Sequence, residues 1–278
     1  MRVLIEVEDR IRADSTCVYY RKAFEKVADV VSVYPEELQY IKPGSFDLYV
    51  RIDYGVETPF PADLKPSAYY AIDTHIHPDW RLKMTKEADF DYIFCALPQA
   101  LDLPWHTDKV YWLPHACDPD AHMPQGIRQK KHDICFIGNC QPNWQARRCE
   151  RLDKLFRAFP NFYIGNKFFK EATEKYAESK LVFNSAQADD INMRVFEALC
   201  SGSCLLTDKM EWYGILEPGK HFLQYADEKE MIEKAKYFIE HNEQREEIAR
   251  QGQKEVLEKH TYLHRVKEML RIIKEDRE

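Results

Sequence analysis

The chain runs one pattern through twice: a short apolar run, then a stretch with helical spacing or a turn, then another apolar run. "RVLIEV" (2–7), "DVVSVY" (29–34), "FDLYVRI" (46–52), "SAYYAID" (67–73), "DYIFCAL" (91–97) and "KVYWLP" (109–114) read as strands, with a helix over 15–28 and a proline-punctuated loop at 55–66. The polar stretch "HACDPDAHMPQGIRQKKH" (115–132) carries no apolar period and reads as a seam. The pattern then restarts with strands at 133–138, 161–165, 180–186, 204–208 and 221–226. Helices are expected over 142–158, 168–178, 190–201 and most of 228–275, broken at Gly252 and near Thr261. Strand–helix alternation on both sides of a seam predicts two doubly wound, Rossmann-like α/β domains. Their expected extents are 1–118 and 119–278, with the last helix able to pack back across the seam. Such sheets take ligands beyond the carboxyl ends of their strands, and two that face each other make a central cleft.

Charge and cysteine usage narrow the classes. With 40 Lys and Arg against 47 Asp and Glu, the net charge is −7, which argues against non-specific nucleic-acid or anionic-membrane binding. No run reaches transmembrane length, and the N-terminus turns acidic at once, so the expectation is a cytoplasmic protein. The eight cysteines show no CxxC pair; Cys17, Cys95, Cys135 and Cys200 lie in or beside apolar runs and read as buried free thiols. Cys135, Cys140 and Cys149 fit no standard zinc spacing. The tail "KEDRE" reads as a solvated helix end.

The stretch "DDINMRVFEALCSGSCLLTD" (189–208) concentrates the chemistry. Glu197 interrupts an apolar run, and a carboxylate against a core needs a partner. Asp189 or Asp190 is the expected N-cap, and Gly202 the expected helix stop. A helix that starts at the carboxyl end of a strand presents free N–H groups to anions, and Asn192 and Arg194 add donors there. Asp189 and Glu197 then flank a phosphate, the layout of sugar hydroxyls, diphosphate and ribose in a sugar nucleotide. The plainer reading is that the aspartates cap the helix and Glu197 pairs with a nearby Lys or Arg.

"NMRVFEALCSGSCLLTD", "LEPGKHFLQYAD", "REEIARQGQKEVLEKHTYLHRV", "DICFIGN" with Arg147 and Arg148, and "KLVFNSAQADD" occur in the order that resembles the C-terminal half of CgeB-like (spore-maturation-protein-like) glycosyltransferases. The resemblance covers roughly 133–265; "YYAIDTHI" and "YWLPHACDP" are weaker matches upstream. It implies a GT-B fold and transfer of a sugar from a nucleoside-diphosphate donor, with UDP among the candidate carriers. It implies no required metal or other cofactor, a carbohydrate or other hydroxyl-bearing acceptor, and no nucleic-acid partner. Related retaining enzymes carry two glutamates separated by seven residues. Here Glu197 matches the second, with ribose binding implied, while Asp189 replaces the first.

Other candidates come from strand ends. Gly138 and Asn139 close "FIGN", where glycine lets a ligand approach backbone, and Asn166 closes "YIGN" as a candidate neighbour of the base. One of Arg147 and Arg148 is expected at the diphosphate, the other in solvent. "EPGKHF" (217–222) is either a donor-bordering loop or a plain turn. In the N-terminal half, "IDTHIHPDW" supplies Asp73 and His75 as candidate acceptor-side acid–base groups; His106, His115 and His122 are weaker candidates. "DPD" (118–120) and "DFD" (89–91) lie where no D-x-D metal motif is expected. Two alternatives stand: an amidohydrolase-type metal site begun by His75 and His77, and a GT-B-like nucleotide-binding protein without catalysis.

Overall fold

The computed structural model describes every residue except Ala188. The chain forms two compact units, Met1–Pro114 with Tyr262–Glu278, and His115–Thr261.

In the first unit, β1 (Arg2–Glu6), β2 (Asp29–Val33), β3 (Leu48–Ile52), β4 (Ser67–Ala71), β5 (Tyr92–Cys95) and β6 (Val110–Trp112) form one parallel sheet in the order β2-β1-β3-β4-β5-β6. Its central strands β3, β4 and β5 are buried throughout and mostly apolar, as parallel sheets require, with Arg51 a buried charge in β3. α1 (Thr16–Glu25) buries Cys17, Tyr20 and Phe24 on one face. α2 (Pro78–Glu87) follows β4, a helix not assigned from the sequence. Its mean apolarity is low, so hydrophobic period did not betray it; Pro78 at its first position was the available signal.

The second unit holds α3 (Pro119–His122), β7 (His132–Ile137), α4 (Pro142–Ala158), β8 (Phe162–Gly165), α5 (Phe169–Ala177), β9 (Ser179–Phe183), α6 (Met193–Cys200), β10 (Cys204–Asp208), β11 (Leu223–Tyr225), α7 (Glu228–Glu240) and α8 (Asn242–Lys259). The five strands pair in parallel in the order β11-β10-β9-β7-β8. The seam expected at 115–132 is packed rather than loose. Thr173 Oγ1 donates to the Ala121 carbonyl at 2.9 Å, and Arg128 grips Glu174 through two 2.6 Å bonds.

Two local expectations are corrected. Gly252 lies inside α8, and the breaks fall at His241 and at His260–Thr261. A Cβ on Gly252 would stand 2.3 Å from the His221 carbonyl oxygen and 2.8 Å from Leu199 Cδ2, so close packing explains this glycine, not chain reversal. Neither aspartate caps α6: the helix starts after Asn192, and Asp189 takes a left-handed turn conformation (φ 56°). Its far end follows expectation, with Gly202 left-handed and the Gly202 and Ser203 N–H groups donating back to the Leu199 and Ala198 carbonyls, a Schellman stop.

α9 (Tyr262–Arg277) buries Tyr262, Val266, Met269 and Ile273 in the first unit. Tyr262 stacks on Tyr19 at 5.2 Å, Arg265 Nε donates to the Pro114 carbonyl, and Asp276 accepts from Tyr92 and Lys109. The tail "KEDRE" is an exposed helix end, as expected, with Asp276 held by Tyr92 and Lys109.

Cys17, Cys95, Cys117, Cys135, Cys200 and Cys204 are free and buried, including the four expected to be so, while Cys140 and Cys149 form a disulfide across the start of α4. No helix among the described residues is long and apolar enough to cross a membrane.

Candidate active site

The strand order of the second unit reverses between β7 and β9, since β7 leads to β8 on one side and β9 lies on the other. A doubly wound sheet opens a crevice at the carboxyl ends of such a pair. At that point the strands end in Ile137-Gly138-Asn139 and Asn184-Ser185.

Two arginines bridge these ends. Arg194, in the first turn of α6, donates from Nε to the Ile137 carbonyl at 2.9 Å and from Nη1 to Asn184 Oδ1 at 2.8 Å. Arg148, on α4, donates from Nε and Nη2 to the Ser185 carbonyl at 3.1 and 2.9 Å and from Nη1 to the Asn139 carbonyl at 3.3 Å. These partners are neutral oxygens. Both guanidiniums also lie over the Phe136 ring, at 4.6 Å for Arg194 and 6.0 Å for Arg148. Burial and the Arg194 charge lower the Arg148 pKa to about 10, against the opposing pull of Asp208 and Asp190. Arg148 therefore stays cationic at neutral pH, and an anion placed here would relieve its repulsion with Arg194.

Gly138 makes the crossing possible. It sits at φ 141°, and a Cβ there would lie 2.3 Å from Arg194 Nη2. Gly138→Ala should displace the guanidinium and cost about 1–3 kcal/mol in backbone strain, read as a lowered unfolding midpoint in urea.

A third arginine, Arg151, is spent internally. Its Nη1 donates to Asp208 Oδ2 at 2.7 Å and Ser185 Oγ at 3.0 Å, while Asp208 Oδ1 accepts the Ala186 N–H at 2.9 Å. This network holds the segment leading to Asp189 and α6. Sequence reasoning missed it; Arg148 and Arg151 stand three apart on one helix face, which was the available signal.

Glu197 lies one turn beyond Arg194 on α6, and its side chain keeps 18% of its exposure. Its Oε1 is 3.8 Å from Nε2 of His122 on α3, and His122 Nδ1 accepts the Asp118 N–H at 3.0 Å. The neutral His122 ring therefore carries its proton on Nε2, facing the carboxylate. This neighbour is a histidine that the sequence ranked low. Asn192 Nδ2 donates to Asn184 Oδ1 at 3.2 Å, beside Arg194. Asp189, Asn139, Asn166 and Arg147 are exposed; Arg147 is the solvated member of its pair. Lys220 pairs with Glu217 within its own loop, the plain-turn arrangement.

In the first unit the order reverses between β1 and β3, but there the cations are matched. Arg51 pairs with Glu6 and Arg81 with Asp53, all buried. Arg81 Nη1 also donates to the Ile76 carbonyl, holding the loop that carries Asp73, His75 and His77. Asp73 and His77 are exposed with left-handed backbone. His75 is half-buried, neither ring nitrogen has a hydrogen-bond partner among the described residues, and burial lowers its pKa against the pull of Asp73. His106 Nε2 donates to the Phe90 carbonyl (2.9 Å), and His115 is buried. Two open parallel sheets do not provide the single closed barrel that the hydrolase alternative needs.

Residues 123–271 match the family model described as glycosyl transferase-like. The chain belongs to that family. As a glycosyltransferase it shares its fold with solved structures along its whole length. HepE (Alr3699) of Anabaena, solved in complex with UDP and glucose, gives a TM-score of 0.71 at 9% identity, covering 99% of this chain and 100% of that one. Sucrose-phosphate synthase (tll1590) from Thermosynechococcus elongatus gives 0.64 at 8% identity, covering 99% and 98%. An alpha-glucosyltransferase, solved in complex with UDP and a 13-mer DNA containing a HMU base, gives 0.67 at 12%, covering 99% of each chain. The fold is that of the GT-B superfamily. No curated protein sequence matches this glycosyltransferase.

Proposed function

We propose that this glycosyltransferase moves a sugar from a UDP-sugar to a hydroxyl-bearing acceptor, without a required metal. One observation carries the reading: Arg148 and Arg194 bridge the switch point of the second sheet with, among the described residues, only neutral oxygens as hydrogen-bond partners. Two such cations suit a diphosphate, and they stand where a metal would otherwise offset its charge. UDP in the HepE and alpha-glucosyltransferase complexes supports the choice of carrier.

Glu197 holds the ribose diol in this reading, with His122 keeping its carboxylate oriented. Gly138, Asn139, Asn192 and Asp189 border the diphosphate and sugar, and Asn166 borders the base. Asp73 or His75 of the first unit serves the acceptor. A neutral His75 suits deprotonation of a hydroxyl. The acceptor is a carbohydrate or similar hydroxyl compound rather than nucleic acid, a choice supported by the net charge of −7. Within the superfamily we place the chain beside the CgeB-like enzymes, on the run 192–208, and its work in the cytoplasm.

A thermal-shift screen with UDP, GDP, TDP and their sugars tests the reading, because a ligand bound only by the native state raises the melting temperature. UDP should stabilise the protein, with EDTA present or absent. Glu197→Ala should abolish the UDP shift while leaving the unliganded melt in place. A UDP shift unchanged in that variant removes Glu197 from the site; a shift lost with EDTA removes metal independence.

A further inference from the structure

We propose that Asn184 is a positioning residue that aims Arg194 without discharging it. The proposal rests on the donor reading above and concerns how the same site keeps its charge available.

Asn184 is fully buried at the end of β9. Its Oδ1 accepts from Arg194 Nη1 at 2.8 Å and from Asn192 Nδ2 at 3.2 Å. Its Nδ2 donates to Thr207 Oγ1 on β10 at 3.0 Å, and the Thr207 hydroxyl donates onward to Asp208 Oδ1 at 3.3 Å. The relay ends on a carboxylate already matched by Arg151.

This network specifies an amide. A guanidinium has no acceptor, so the oxygen of residue 184 must face Arg194. The Thr207 hydroxyl spends its proton on Asp208, so its oxygen needs a donor, which the amide nitrogen supplies and an ionised carboxylate lacks. The charge argument points the same way. An aspartate of equal size would take the same bond from Arg194, form a buried ion pair and cancel the positive charge. An amide dipole orients the guanidinium and leaves its full charge for a ligand. The first unit shows the contrast, since Glu6 and Asp53 neutralise the buried Arg51 and Arg81.

The test is calorimetric binding of UDP and of uridine to the full chain, as wild type, Asn184→Asp and Asn184→Ala. Wild type should prefer UDP to uridine. Asn184→Asp should lose about tenfold or more in UDP affinity, the equivalent of one charge-assisted hydrogen bond, with uridine affinity kept within about twofold. Asn184→Ala retains the charge but not its aim, and should lose less UDP affinity than Asn184→Asp, again sparing uridine. A merely structural role would lower both ligands together. Unaltered UDP affinity in Asn184→Asp, a matching loss of uridine, or an equal or larger UDP loss in Asn184→Ala overturns the proposal. Should Asn184→Asp fail to fold, Asn184→Ala decides alone, with unaltered UDP affinity the overturning result. A wild type that does not prefer UDP to uridine instead fails the donor reading, and the proposal with it; wild-type preference with an unaffected Asn184→Asp removes this proposal only.

Discussion

Arg194→Met should weaken UDP binding roughly 10- to 150-fold, the loss of about 1.5–3 kcal/mol from charge-assisted bonds to phosphate, while leaving the fold in place. The asymmetry follows from what Arg194 does in the free protein. Its bonds go to two neutral oxygens, and one of those, Asn184 Oδ1, keeps a second donor in Asn192. Removing the charge also ends its repulsion of Arg148, so the Arg148 pKa should rise from its lowered value. Titration calorimetry with UDP, beside a urea melt of the unliganded variant, separates the two effects. A variant that binds UDP as wild type does would remove Arg194 from the donor site. A variant that binds poorly only because it unfolds would make Arg194 structural.

Glu6→Ala should do the opposite: little to donor affinity in the second unit and about 3–5 kcal/mol to the stability of the first. Glu6 is wholly buried and accepts from Arg51 Nε and Nη2 and from the Tyr54 hydroxyl. Burial works against the Arg51 charge, and Glu6 more than offsets it, holding the guanidinium above its usual pKa. Without Glu6 that charge keeps the Thr58 and Pro59 carbonyls but no counter-ion. Such a loss lowers the melting temperature by roughly 10–15 °C for a domain of this size. The double variant Glu6→Met with Arg51→Met should recover most of it, because an apolar pair has no desolvation penalty to offset. A single variant that melts like wild type would show that the pair contributes nothing net.

The two pairs of arginines explain what a linear reading was able to see. The alternation of apolar runs with helical spacing located the eleven strands of the described residues to within a few positions, because strands of a parallel sheet, the central ones above all, are rich in Val, Ile, Leu, Phe and Tyr. The helix at Pro78–Glu87 escaped because its residues are mostly polar and its periodicity weak. Gly252 misled because glycine both ends helices and admits close neighbours; only the His221 carbonyl beside it discriminates. Of the candidate site, Arg194, Asn192, Gly138 and Glu197 stood out along the chain, since they lie at strand ends or interrupt an apolar helix, and the structure places Arg194, Asn192 and Gly138 beside one another. Arg148 and Arg147 were indistinguishable as neighbours in one helix, and the helix's rotation against the sheet decided between them. His122 ranked low because nothing along the chain ties it to Glu197, 75 positions on.

By itself, then, the sequence determined the two α/β sheets, the approximate places of their strands and the Gly202 helix stop, all of which depend on local propensity and on the period of burial, while the order of its motifs carried the resemblance to glycosyltransferases. Only the tertiary structure decided which charges are spent and which remain available. Glu6 with Arg51 and Arg151 with Asp208 join groups 45 and 57 positions apart, and Arg194 reaches back 57 positions to the Ile137 carbonyl. Electrostatic pairing falls off with distance through space, and separation along the chain does not encode it.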